Sequence, residues 1–254
     1  LEDKNITIIG AQSKVSQSKL LGIKLKELSQ NIPQEAKVAV NLPDETLLFP
    51  TLNSLPDIIK KVNITVGYPL QQTPVYTLLN FLIDMQIRRM NNASDKNNII
   101  QGFYFKDVLK TLNHPYIKVI FPDEIATLIN RIKHENIIYI TPNETANLSP
   151  DLKNIFSLIR NSQQFIEFFL GLLDVIRSYY LENDSELFSI DLEYIYHFYT
   201  LFSRLKDSLM AVGPPLDIDT FRQLLFDIVT TSRIPFTGEP LEGLQIMGML
   251  ETQT

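Results

Sequence analysis

The sequence predicts an α/β fold in which a partial parallel sheet is interrupted by a large, mostly helical insertion. Three observations carry this. Short β-branched runs alternate with helical periodicity early in the chain, helical periodicity then dominates to about residue 233, and an apolar run of strand length, LQIMGML at 244–250, follows. Strand, helix and strand at short spacing argue for parallel pairing through right-handed crossovers.

Taken in order, 5–10 (NITIIG) is predicted as the first strand. Over 15–28 a helix is predicted, with Val15, Leu20, Ile23, Leu25 and Leu28 leaving Lys14, Lys19, Lys24 and Lys26 for the other side. KVAVNL (37–42) and NITVG (63–67) read as the second and third strands, with LLFPTLNSL between them. From Thr73 the rhythm changes. VYTLLNFLIDMQIRRM is a helix running into the polar loop NNASDKNN, 105–112 and 123–132 are helical, and NIIYIT (136–141) is an isolated strand-like run. Ser149 before Pro150 marks a helix start, with the serine as cap and the proline in the first turn. Two long helices follow. Phe165, Phe169, Leu172, Leu173, Ile176 and Tyr180 share one face, and Leu192, Ile195, Tyr199, Phe202, Leu205 and Leu209 share another, at steps of three and four. VGPPLDID breaks the second of them, 221–229 forms a last helix, and TSRIPFTGEP leads into the final apolar run. That run is apolar on both faces, so it is expected to return to the N-terminal sheet as an interior strand parallel to 37–42, with cover on both sides. It breaks off without a turn or cap, which predicts that the chain is a fragment of something larger.

Composition narrows the function classes. At 254 residues, 44% hydrophobic and 20% charged, the chain is of globular type with enough length for one large or two modest cores. The most apolar helix, 165–181, carries Glu167, Asp174 and Arg177 and so reads as buried rather than membrane-spanning. There are no cysteines, which excludes disulfides and thiolate metal sites, and no signal-peptide pattern is read in LEDKNITIIG. A cytoplasmic protein is expected. The net charge of −6 argues against a free-standing, non-specific nucleic-acid binder but leaves room for a local basic groove.

No catalytic constellation is readable. GAQSKVSQSK follows the first predicted strand but matches neither G-x-G-x-x-G nor the P-loop, so no ATP binding or hydrolysis is expected. Pro122-Asp123 with Asp151-Leu152-Lys153 formally spells PD…D-x-K, a metal-nuclease pattern. Asp151 follows a helix start, however, whereas that chemistry wants the pair on a sheet, and the match reads as accidental. His114, His134 and His197 lack ligand spacing; His114 before Pro115 reads as a turn residue and His197 as a helix flank. Tyr194, Tyr196, Phe198, Tyr199 and Phe202 could stack bases but read as core at helical spacing. Arg88-Arg89, Lys60-Lys61 and the first-helix lysines Lys14, Lys19, Lys24 and Lys26 could meet phosphates, Lys14, Lys19 and Arg88-Arg89 being the first to neutralise, although isolated charge pairs usually form solvated surface.

Four segments carry a resemblance. NITIIGAQSKVSQSKLLGIKLKEL resembles the strand and helix that open the second motor domain of superfamily 1 helicases such as UvrD, Rep and AddB. KVAVNLPDETLLFPTLNSLP is similar to the next strand and helix, FYFKDVLKTLNHPYI to the start of the helical 2B insertion, and IPFTGEPLEGLQIMGMLET to the return into helicase motif V. The closest overall likeness is to AddB-like helicase–nuclease proteins of Bacteroidetes, inactivated helicases joined to a PD-(D/E)XK nuclease. The resemblance implies a RecA-like 2A portion at 1–72 plus 234–254 and a 2B-like insertion at 73–233. Motif V of active relatives reads roughly T-x-H-x-A-K-G-L-E-F. Gly248 stands at its threonine, Leu250 at its histidine and Gln253 at its lysine, departures that count against ATP-coupled translocation; Glu251 and Thr252 remain as polar groups that could line a cleft. ATP and Mg are implied only for the parent family, and neither cofactor nor metal is expected for this stretch.

The expected function is therefore a DNA-binding and scaffolding portion of an AddB-like enzyme in recombinational repair, without catalysis of its own. Lys14, Lys19, Arg88, Arg89, Glu251 and Thr252 are the candidate contacts. DNA, the remaining domains of the same polypeptide and an AddA-like helicase subunit are the implied partners. The alternative is a helical protein-interaction module with a structural α/β part. A small-molecule enzyme on a Rossmann-like sheet ranks last for want of a polar constellation.

Overall fold

A computed structural model describes residues 5–31, 38–59, 61–93, 102–183, 189–235 and 243–248. In chain order its elements begin with α1 (Lys14–Asn31), β1 (Ala39–Leu42), α2 (Leu48–Leu52), β2 (Val62–Ile64) and β3 (Tyr68–Pro69). Next come α3 (Pro74–Ala93), β4 (Phe103–Tyr104), α4 (Phe105–Leu112), α5 (Pro115–Ile120), α6 (Pro122–His134) and β5 (Tyr139–Ile140). The last are α7 (Pro150–Asn154), α8 (Ser162–Glu182), α9 (Ser189–Val212), α10 (Ile218–Thr231), β6 (Arg233–Ile234) and β7 (Leu244–Gly248). The chain is α/β, and it divides into two compact units, 1–69 with 232–254, and 70–231.

The first unit is built on a three-stranded sheet of order β1-β7-β2, both pairings parallel. The late segment lies in the middle, as its apolar pattern predicts, with Val40 opposite Ile246 on one side and Ile64 opposite Ile246 on the other. The ladder is continued by the amides of Leu244 and Gln245, which donate to Lys61 O (3.1 Å) and Val38 O (3.1 Å), and by Thr65 N–H donating to Ile246 O (3.0 Å). Gly243 makes the approach possible. Its φ is +88°, and a Cβ there would lie 2.2 Å from Lys61 O, so only glycine fits. Val40, Leu42, Leu244 and Ile246 are buried, whereas Ala39 and Asn41 are exposed and Gln245 and Met247 half-buried. The expected full cover on both faces is thus not met among the described residues. β1 alternates inward and outward in the manner of a strand covered on one side. Met249 and Leu250 lie outside the described residues. A two-residue antiparallel ribbon, Tyr68 opposite Ile234 and Pro69 opposite Arg233, joins the points where the chain leaves and re-enters this unit.

Two expectations need correction here. Residues 5–10 form no strand, and Ile6 and Ile8 are 81% and 93% exposed. β-Propensity measures the fit of a side chain to a paired, half-buried surface, and NITIIG has no ladder partner to supply one. Helix α1 does form, but it buries Ser18, Gly22 and Leu25 and turns Val15, Ile23 and Leu28 outward. Small residues carry the contact. A Cβ on Gly22 would stand 2.0 Å from Ser54 O, and the Thr51 hydroxyl donates to Ser18 Oγ at 3.4 Å, so the helix lies closer to its neighbour than a leucine face would permit.

The second unit is a helical assembly with its own core. The six residues predicted on the α8 face are all buried. Rings from three helices meet there: Phe169 and Phe202 at 4.6 Å between centroids, Phe165 and Phe169 at 6.1 Å, and Phe165 and Phe221 at 5.9 Å. On α9, Ile195, Phe198, Phe202 and Leu205 are buried, but Tyr199 is exposed. It follows Phe198 by one residue, about 100° further round the helix, and falls at the edge of the stripe. β4 and β5 pair as a short antiparallel ribbon, Phe103 opposite Ile140. Helix α7 starts at Pro150, yet the Ser149 hydroxyl makes no capping bond and is buried without a partner. The serine's amide donates instead to Glu124 Oε2 at 2.6 Å. Asn161 provides a working cap one helix later, accepting from Gln164 N at 3.0 Å.

Candidate nucleic-acid interface

In the first unit the basic residues of α1 fall into two groups. Lys14 is paired with Asp44, and Lys24 with Glu27 at 2.6 Å. The Lys14 ammonium, followed by hydrogen bonds from Thr46, holds the Asp44 carboxyl down to about 2. Lys14 is therefore spent on a local contact. Lys19 and Lys26 have no acidic partner among the described residues. They stand three residues before and four after Gly22, on the same helix face, and flank an open groove of about 560 Å³ between α1 and the 53–58 segment. Ile23, Asn53 and Ser54 line it too, with Asp57 its one acidic residue. The spacing K-x-x-G-x-x-x-K was available in the sequence as a signal, since a glycine between two lysines at helical steps marks a close approach framed by cations.

In the second unit Arg88 and Arg89 diverge. Arg88 Nε lies 2.7 Å from Asp107 Oδ2, and its guanidinium is 5.6 Å from the Tyr104 ring centre. The contact is ionic rather than an aligned hydrogen bond, for that oxygen has no N–H directed at it. Asp107 is only 5% exposed; burial pushes its carboxyl up while Arg88 draws it down. Neutralising Arg88 would strand a buried acid, so this arginine has a structural duty. Arg89 has none of that kind. Its guanidinium lies 5.5 Å from the Phe103 ring centre and its Nε is buried without a hydrogen-bond partner. Glu251 and Thr252 lie outside the described residues.

The remaining candidates are placed as follows. Asp123 is in the first turn of α6, and Asp151 and Lys153 are on α7, so the PD…D-x-K match lies on helices. Among the described residues no group of three or more histidines and acids is disposed to hold a metal ion, and no helix is long and apolar enough to cross a membrane. Tyr194, Phe198 and Phe202 are core, whereas Tyr196 is 62% exposed and Tyr199 also faces out, correcting their reading as a wholly buried cluster. His197 bonds Glu193 at 3.1 Å along α9, and His134 ends α6 in solvent.

His114 is more than a turn residue. It caps α5, its Nδ1 accepting from Tyr116 N–H (3.3 Å) while Nε2–H donates to Pro74 O (3.1 Å), which fixes a neutral tautomer. Burial lowers its pKa from 6.5 to about 4. The folded value lies below the unfolded one, so this contribution is complete above pH 6.5 and is lost as pH falls towards 4. Urea unfolding at pH 7 and pH 4 should show the natural protein losing about 3 kcal/mol more than His114→Asn over that interval. Equal losses would remove the histidine from the account.

Comparison with known proteins finds no family model and no curated sequence that matches the chain.

Proposed function

We propose that the chain is the 2A/2B portion of an AddB-like helicase–nuclease, a cytoplasmic DNA-holding element of recombinational repair with no turnover of its own. The observation that carries this reading is the nested topology. A parallel sheet whose central strand arrives only after a contiguous helical unit is the arrangement that the resemblance implies for a motor domain with an insertion. Lys19 and Lys26, without an acidic partner among the described residues, supply a place for a phosphate backbone, and they replace Lys14 and Arg88, whose charges are already engaged. With two unpaired cations among the described residues of that groove and a net charge of −6, binding is weak and salt-sensitive.

Fluorescence anisotropy with labelled single-stranded and duplex DNA tests this. Two phosphate contacts give a log–log salt slope of about −2, so affinity should fall roughly tenfold between 50 and 200 mM salt. Lys19→Glu with Lys26→Glu should abolish the signal while leaving thermal unfolding unchanged. Tight binding that survives high salt would contradict the reading. Absence of binding at 50 mM salt would favour the second one, a helical interaction module, to which the exposed Tyr196 and Phe226 lend support.

A further inference from the structure

The second unit contains a cavity of about 280 Å³ whose lining includes Arg89, Phe103, Ile140, Lys153 and Phe156, and no acid among the described residues. The nearby Glu144 is already engaged, accepting from the Thr141 amide (2.7 Å) and hydroxyl and lying 4.0 Å from Arg131. The hydroxyls in the wall are committed as well: Thr145 donates to Pro142 O at 3.2 Å, and Ser157 bonds Asn154 Oδ1 at 2.9 Å. What is left uncommitted is positive charge. Arg89 has a buried, unpartnered Nε and no ion pair among the described residues, and Arg160 is close enough to add to the field acting on it. A guanidinium partly desolvated against Phe103 and given no carboxylate is costly in a folded protein and is normally paired.

We infer that this cavity is a binding site for a small organic anion, a phosphate ester with one aromatic or apolar group, held by Arg89 and Lys153. The wall explains both halves of the ligand. Apolar surroundings strengthen the attraction of Arg89 for an anion and its planar fork matches phosphate oxygens, while the exposed Lys153 adds a second positive charge at the rim. Phe103 and Phe156, whose ring centres are 5.9 Å apart, with Ile140 and Leu158, supply the surface for an apolar body. The volume is near the lower end for ligand pockets, so the body is about one ring in size. The shared chemistry admits two sources, a free metabolite-sized phosphate ester or the 5′-phosphate end of a nucleic acid. The site is independent of the Lys19–Lys26 groove and of the helicase reading.

Calorimetric titration of the full chain with phenyl phosphate, inorganic phosphate, phenol and a 5′-phosphorylated dinucleotide provides the test. Phenyl phosphate should bind one site at least tenfold more tightly than inorganic phosphate or phenol, and Arg89→Met should weaken it at least tenfold. Lys153→Met, a change at an exposed residue, should weaken it less, and Lys19→Glu with Lys26→Glu should leave it unchanged. Tighter binding of the dinucleotide than of phenyl phosphate would identify a nucleic-acid end as the source, and the reverse a free ester. Arg89→Met should also hold or raise the thermal midpoint without ligand, since it removes an uncompensated charge. No saturable binding by either ester, or equal binding by both methionine variants, would overturn the site. A lowered midpoint in Arg89→Met with Lys153→Met still binding like the natural protein would show Arg89 to be structural and overturn it too.

Discussion

Ile246→Asp abolishes protection of the sheet amides while leaving those of α8 protected: that is the expected result of hydrogen exchange on this variant. Ile246 is fully buried and occupies the one strand, among the described residues, that is paired on both sides. A carboxylate placed there has no cation partner in the ladder, and the loss should reach at least about 4 kcal/mol, comparable to the whole margin of a small α/β unit. The amides of Leu42 and Thr65 should exchange first, because among the described residues β1 and β2 pair only with β7 in this sheet, and Thr65 N–H donates to Ile246 O. Truncation of 244–254 should act in the same direction. Retained protection at Leu42 and Thr65, or unchanged thermal unfolding of the truncated chain, would show that the central strand does not hold the sheet.

The second large effect is expected in the helical unit. Phe169→Ala removes a fully buried ring that stacks between Phe165 and Phe202, and the residues around it come from helices that cannot all close the gap. Such deletions cost about 3–5 kcal/mol through lost transfer energy and the cavity left behind. Phe169→Leu, which keeps most of the volume, should recover more than half of that. Tyr196→Ala on the exposed side of α9 should change stability by less than about 0.5 kcal/mol. Equal effects at Phe169 and Tyr196 would place the core elsewhere.

What could be read from the sequence follows from how much periodicity each element displays. Helix α8 has 21 residues and a continuous stripe, so its buried face was legible. β7 was legible as an interior strand because of its apolar run, although its burial alternates, with Gln245 and Met247 only half-buried. The ribbons β3–β6 and β4–β5 have two residues a side, too few to express an alternation. In α1 the usual rule misled, since Ser18 and Gly22 carry the packing with Leu25, while Val15, Ile23 and Leu28 face outward. The candidate sites divide the same way. Lys19 was visible as charge, but the distinction between a spent Lys14 and a free Lys19 depends on where Asp44 lands. The Arg89 cavity draws on residues from 89 to 158 and depends wholly on tertiary convergence.

The order β1-β7-β2 also bears on synthesis. The two outer strands leave the ribosome early, yet they stand about two strand spacings apart and cannot bond to each other without giving up the native register. Their common neighbour emerges only after the whole of 70–231, a contiguous stretch with its own aromatic core, has been translated. The nascent chain therefore has the helical unit available to fold first, with the edges of β1 and β2 open until the last strand arrives. Long-range closure of this kind is slow, and unpaired strand edges are where aggregation begins. Vectorial production thus gives the protein a period in which its helical unit is native and the α/β unit is waiting for one five-residue strand.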